Sequence, residues 1–152
     1  MKSKMTVALL AAALLAACSS MTTISSPHAA TQLLVKDRHL SLPAHENMRG
    51  TSFGNYEFKA SEEGFDALYG VLPLSFKGGH LAADILLFAP GAFFNLRAVF
   101  PFYDIDVEKG VIRYRASEQE AWNEYHPKAE EIARARSYFD GASAVAPATA
   151  SK

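Results

Sequence analysis

The chain lacks most of the features that define several large protein classes. Its 152 residues include one cysteine, which excludes an internal disulfide framework. The formal net charge is only −1, which excludes a strongly basic nucleic-acid binder. With 49% hydrophobic residues and this little net charge, the sequence also differs from intrinsically disordered chains. Its length is that of a single domain.

Motifs for catalysis and metal binding are few. There is no Ser-x-x-Lys motif and no glycine-rich phosphate loop. The short pattern Gly-x-Ser-x-Gly occurs once, at Gly50–Gly54, but a predicted strand over residues 55–60 follows it instead of the helix that a nucleophile motif requires. The five histidines include no pair four residues apart on a predicted helix. Asp104, Asp106 and Glu108 alternate along one predicted strand, but they do not have the spacing of a calcium loop. We therefore expect no catalytic residues, no metal and no enzymatic activity.

The first 20 residues have the organisation of a targeting signal. Lys2 and Lys4 give it a positive start, and the 13 residues from Met5 to Ala17 carry no charge. As a helix this run would be about 20 Å long at ~1.5 Å per residue, shorter than the ~30 Å hydrocarbon core of a bilayer. It is therefore typical of the hydrophobic region of an export signal and not of a transmembrane helix.

The end of this signal, Leu15-Ala16-Ala17-Cys18, resembles the lipobox of bacterial lipoproteins. The resemblance implies cleavage between Ala17 and Cys18, a diacylglycerol thioether on Cys18 and an N-acyl group on its freed amine. These covalent lipids are the only cofactors expected, and the lipid-anchored membrane is the expected partner. The anchored chain would face the periplasm, and because Ser19 follows the cysteine instead of aspartate, the outer membrane is the expected destination. The sequence leaves open an ordinary secretory signal with an unpaired cysteine.

The most apolar part of the remaining chain runs from residue 81 to 102. It contains five phenylalanines, but Asp84, Pro90 and Arg97 exclude a transmembrane helix. One interpretation is a buried core segment, and the other is an exposed contact patch at Phe93 and Phe94. A short hydrophobic part of the chain is also similar to small YceK-type lipoproteins. The residues that carry this resemblance are Leu72–Ser75, Ala83–Asp84 and Leu87–Pro90.

The composition divides the chain into four parts. A signal peptide covers 1–17, the acylated cysteine and a flexible tether cover 18–31, one domain covers 32–141, and a disordered tail covers 142–152. The domain is predicted to have an α+β fold, with a small antiparallel sheet and three or four helices packed on one face. The predicted helices begin near Ser61, at His80, at Ser117 and after Pro127, and the last of them ends at Gly141.

The clearest single element is a hairpin over residues 102–116. We predict a two-residue turn at Lys109-Gly110 because glycine adopts positive φ. This turn places Val107 opposite Ile112 on one face and Asp106 opposite Arg113 on the other. A polar face of paired charges is the expected role of the alternating carboxylates.

These observations predict a non-enzymatic lipoprotein that acts by contact, as a structural or adaptor component of the cell envelope. An envelope protein is a further expected partner, and nucleic acid is not. The alternative is a periplasmic binder of a small apolar or lipid ligand, which would need an enclosed apolar pocket lined partly by residues 81–102.

Overall fold

The computed structural model describes residues 19–51, 54–76 and 97–145, which form eleven strands and one helix. The strands are β1 (Ser19–Ser25), β2 (Gln32–Val35), β3 (Arg38–Ser41), β4 (Ala44–Arg49), β5 (Glu57–Ser61), β6 (Leu68–Val71), β7 (Leu74–Phe76), β8 (Arg97–Val99), β9 (Phe102–Asp106), β10 (Val111–Arg115) and β11 (Asn123–Tyr125). The helix is α1 (Ala129–Val145).

The strands are arranged in three sheets. The first sheet has the order β11-β10-β9-β1-β4, the second has the order β3-β2-β5-β6, and β7 and β8 form a two-stranded ribbon. In the first sheet, β1 is antiparallel to β4 and parallel to β9. All pairings in the second sheet and in the ribbon are antiparallel.

Side chains from the two larger sheets form one apolar core. Alternation along each strand directs every second side chain inward. In β1, for example, Thr22 and Ile24 are buried while Met21 is exposed. The fully buried apolar side chains of this core include Ile24, Leu33, Phe58, Tyr103, Ile105 and Ile112.

Buried Tyr103 connects the core to the chain around it. Its hydroxyl donates a hydrogen bond to the Pro73 carbonyl at 2.5 Å and accepts one from the Phe100 N–H at 2.8 Å. Burial raises the pKa of the Tyr103 hydroxyl, so it stays protonated. Both polar functions of this buried group are thereby satisfied.

Helix α1 packs on β5 and β6 of the second sheet. Ala135 is buried in this contact, and the rings of Phe139 and Tyr69 lie 6.5 Å apart. The predicted helix after Pro127 is therefore present. It continues past Gly141 to Val145, so residues 142–145 of the predicted disordered tail are helical.

The predicted α+β fold with three or four helices on one face is wrong. Strands in three sheets dominate the described residues, and α1 is their only helix. Ser117–Glu120 forms a turn, in which the Glu120 carboxylate accepts a hydrogen bond from the Ala116 N–H at 3.1 Å. The predicted helix at His80–Ala89 lies outside the described residues.

The helix predicted after Ser61 is replaced by a turn between β5 and β6. Gly64 has φ of +89°, a left-handed conformation that glycine adopts without strain and that interrupts a right-handed helix. Gly70 lies within β6, where a Cβ atom would come 2.8 Å from the Phe58 ring and 2.9 Å from Pro127. Cross-strand pairing of Phe58 with Gly70 thus overrides a locally helical pattern.

The 102–116 hairpin is present, but its predicted register is wrong by two residues. Ile112 lies opposite Ile105, not Val107, and Arg113 lies opposite Asp104, not Asp106. The cause is a four-residue turn over 107–110, in which the Asp106 carboxylate accepts a hydrogen bond from the Lys109 N–H at 3.0 Å. Gly110 has the expected positive φ, +65°. A shift of two residues leaves the inward and outward faces unchanged.

The predicted tether is also corrected by the structure, because Ser19–Ser25 forms β1. This strand is hydrogen-bonded on both sides, and the Thr22 hydroxyl donates to the Phe100 carbonyl at 2.7 Å. Residues 19–25 therefore belong to the folded domain, which does not begin at Gln32.

We expect Ile24→Ala to lower the free energy of unfolding by about 2–5 kcal/mol, because it leaves a cavity in the core. Met21→Ala removes a side chain on the opposite face of the same strand and should change stability by less than about 0.5 kcal/mol. Urea unfolding of residues 18–152 carrying Cys18→Ser measures both. If both substitutions change the free energy of unfolding by less than about 0.5 kcal/mol, Ser19–Ser25 is a tether and not a strand.

Candidate functional site

The predicted acylation site, Cys18, is bonded directly to the first residue of β1. Ala17 and Cys18 lie outside the described residues, but Ser19 pairs with Arg49 at the start of the β1–β4 ladder. Because this ladder with β4 begins at Ser19, the first residue of β1 has a defined place on the domain surface. A lipid on Cys18 would therefore be attached at the edge of the folded domain, without an intervening spacer.

Strands β1 and β4 and the β7–β8 ribbon meet near this point. We call this region the anchor end and define it by Ser19, Met21, Arg49, Phe76 and Arg97. Just beyond Arg49, Thr51 and Arg97 exchange backbone hydrogen bonds of 2.8 and 3.0 Å. Arg97 in turn pairs with Phe76 across the β7–β8 ribbon. The ribbon thus lies beside the ends of β1 and β4.

The anchor end presents apolar and basic side chains to solvent. Met21 is 62% exposed and Phe76 is 60% exposed, which makes them the two most exposed large hydrophobic side chains among the described residues. Arg49 is exposed as well. The guanidinium of Arg97 is held in place by a 3.0 Å hydrogen bond to the Gly54 carbonyl.

The opposite end of the domain is acidic. Because β1 and β9 are parallel, the segments that follow them reach the same end. There His28 lies 3.2 Å from Glu62 and 3.6 Å from Glu108. Phe65, 42% exposed, packs beside His28, so this distal end also has one exposed aromatic side chain.

Within the distal end, His28, Asp106 and Glu108 place potential metal-ligand atoms within 4.8 Å of one another. The Asp106 carboxylate, however, already receives the backbone N–H and the ammonium of Lys109, and the Arg113 guanidinium lies 3.7 Å away. Burial alone would raise the pKa of Asp106, but these hydrogen bonds and cations hold it below its usual value. The arrangement is that of a buried turn-stabilising carboxylate.

Arg113 also pairs with Asp104 at 2.5 Å, so cross-strand charge pairing occurs as the sequence analysis expects, with the register shifted.

The predicted contact patch at Phe93 and Phe94 lies outside the described residues. The strand pairings instead place Met21, Arg49 and Phe76 toward the same end of the domain, and the sequence analysis did not single out these residues. Met21 belongs to the segment interpreted as a tether, and the positions of Arg49 and Phe76 depend on pairings between distant strands. The alternation of Thr22 and Ile24 with Met21 was the available signal for a strand there.

The grooves lined by described residues are open and bordered by charge. One of about 210 Å³ is lined by Lys36, Arg38, Arg49 and Tyr56, among others. Another of about 570 Å³ lies at the distal end beside Phe65, Asp66 and Glu108. Neither is the enclosed apolar pocket that a lipid carrier requires.

Comparison with protein families, curated proteins and solved structures finds no match to this chain. Among the described residues, no helix has the length and apolar character needed to cross a membrane.

The depressed pKa of Asp106 predicts a pH-dependent contribution to stability. Its ionised form favours the fold above the unfolded pKa of 3.8, and this contribution is lost as the pH falls through the lower folded pKa. We therefore expect Asp106→Asn to destabilise the protein at pH 7 and to reduce the loss of stability between pH 5 and pH 2.

Urea unfolding across this pH range measures the effect. Asp66→Asn, at an exposed carboxylate of the same end, is the matched control and should leave the profile of the wild-type protein unchanged. Parallel pH profiles of Asp106→Asn and wild-type protein would contradict the assignment.

Proposed function

We propose that this protein is a bacterial lipoprotein whose β-sheet domain is anchored through diacylglycerol and an N-acyl group on Cys18. The anchored domain faces the periplasm, and the outer membrane is its destination. The proposal rests on the order of the targeting features: two lysines, an uncharged run of 13 residues and the Leu15-Ala16-Ala17-Cys18 sequence.

The structural observation that supports the proposal is the pairing of β1. Cleavage before Cys18 removes residues 1–17, whereas β1 pairs with β4 and β9, which both follow Cys18 in the chain. Processing at the predicted bond is therefore compatible with these pairings.

Acylation would hold the domain at a membrane. Each buried CH₂ group contributes about 0.8 kcal/mol, so one chain binds marginally and two or three chains anchor stably. The single cysteine of the chain then has a defined role and is not left as an unpaired thiol in an exported protein.

The anchored domain acts by contact, as a non-enzymatic structural or adaptor component of the envelope. The alternative, binding of a small apolar ligand, needs an enclosed pocket lined partly by residues 81–102, of which 81–96 lie outside the described residues.

Metabolic labelling with radioactive palmitate tests the anchor. We expect the wild-type protein to incorporate label and to sediment with membranes. Cys18→Ser should abolish the label, retain the uncleaved signal and raise the apparent mass. Label on the Cys18→Ser variant equal to that of wild-type protein would refute acylation at this position.

A matched control changes the neighbouring residue. In an enterobacterial host, Ser19→Asp should keep the palmitate label but move the protein from the outer to the inner membrane fraction, since aspartate after the cysteine retains lipoproteins there. Recovery of labelled Ser19→Asp in the outer membrane, like the wild-type protein, would contradict the proposed sorting while leaving acylation intact.

A further inference from the structure

We infer that the anchor end lies directly on the phospholipid surface, with Met21 and Phe76 inserted at the headgroup level and Arg49 beside the lipid phosphates. This inference rests on the proposed function and adds to it a fixed orientation of the domain. It predicts that the acidic distal end points away from the membrane.

The first argument is distance. Successive Cα atoms are 3.8 Å apart, and a strand rises about 3.3 Å per residue. Met21 is three residues from Cys18, so its Cα atom lies at most about 11 Å from that of the lipid-bearing residue. The headgroup region of each leaflet is roughly 5–7 Å thick, so acyl chains inserted from Cys18 bring the start of β1 close to the interface.

The second argument is the rigidity of this attachment. Ser19 pairs with Arg49 of β4, and farther along the same strand Thr23–Ser25 pair with β9. A free tether of a dozen residues would let the domain tumble and would present any face to the bilayer. A lipid on the residue that precedes a paired strand instead restricts which face of the domain lies against the bilayer.

The third argument is the chemistry of the two ends. Met21 and Phe76 expose more than half of their surface at the anchor end, where contact with the bilayer would remove apolar area from water. Arg49, which is also exposed at this end, carries a positive charge that an anionic lipid surface attracts.

The distal end carries Glu62, Asp66 and Glu108, and the chain without residues 1–17 has a net charge of −3, since removal of Lys2 and Lys4 takes two positive charges from −1. An anionic membrane attracts the anchor end and repels the distal end, so charge and hydrophobicity favour the same orientation.

Tryptophan fluorescence in the complete lipidated protein tests this orientation. Trp122, the only tryptophan, is first changed to phenylalanine, and single tryptophans are then introduced by Met21→Trp, Phe76→Trp and Phe65→Trp. Each protein is reconstituted in vesicles of phosphatidylethanolamine and phosphatidylglycerol, with or without brominated phosphatidylcholine, which quenches by contact. Phe65→Trp is the matched control, an exposed aromatic site at the distal end.

We expect quenching at positions 21 and 76 to exceed that at position 65 by about twofold or more, since interfacial side chains lie ~5–10 Å into the headgroup boundary. Adding Arg49→Glu should reduce quenching at position 76 in vesicles that contain phosphatidylglycerol. Circular dichroism confirms that each variant is folded.

The outcomes separate the two proposals. Palmitate-labelled, vesicle-bound protein with equal quenching at all three positions, or with quenching mainly at position 65, overturns the orientation and leaves the anchor standing. Absence of quenching at positions 21 and 76 in labelled protein, together with crosslinks from them to another protein, assigns the surface to a protein partner and also overturns the inference. Protein without label overturns the anchor, and the inference with it.

Discussion

The structure depends on β1 being an interior strand of the larger sheet. It pairs with β4 on one side and with β9 on the other, and its inward side chains Thr22 and Ile24 are buried. A strand with hydrogen bonds on both edges cannot detach without exposing unpaired backbone groups and part of the core. Because Cys18 immediately precedes this strand, the same interactions that complete the sheet also determine where a lipid would be attached.

The parallel pairing of β1 with β9 separates the chemistry of the domain into two ends. The start of β1 lies beside exposed Met21, Phe76 and Arg49, whereas the segments that follow both strands bring His28 to Glu62 and Glu108. This separation of the two ends follows from the direction of the strands. In the proposed anchored protein, the acidic end is the one farther from the membrane.

Local patterns identified some elements correctly and others not. The 102–116 hairpin and the last helix follow from alternation, turn residues and an N-terminal proline. The helix expected after Ser61 failed because pairing of β5 with β6 outweighs helical periodicity over so few residues. The hairpin register failed because the Asp106 carboxylate stabilises a longer turn.

The sequence by itself predicts an export signal and an acylation residue, and it determined the alternating faces of the 102–116 hairpin, because these features depend on residues close together in the chain. Only the tertiary structure decided that Ser19–Ser25 is a strand and not a tether. The contact that shows this joins Thr22 to Phe100, 78 residues apart. Short polar and β-branched residues are compatible with a linker or a strand, and the choice between them is made by the partners that the rest of the chain provides.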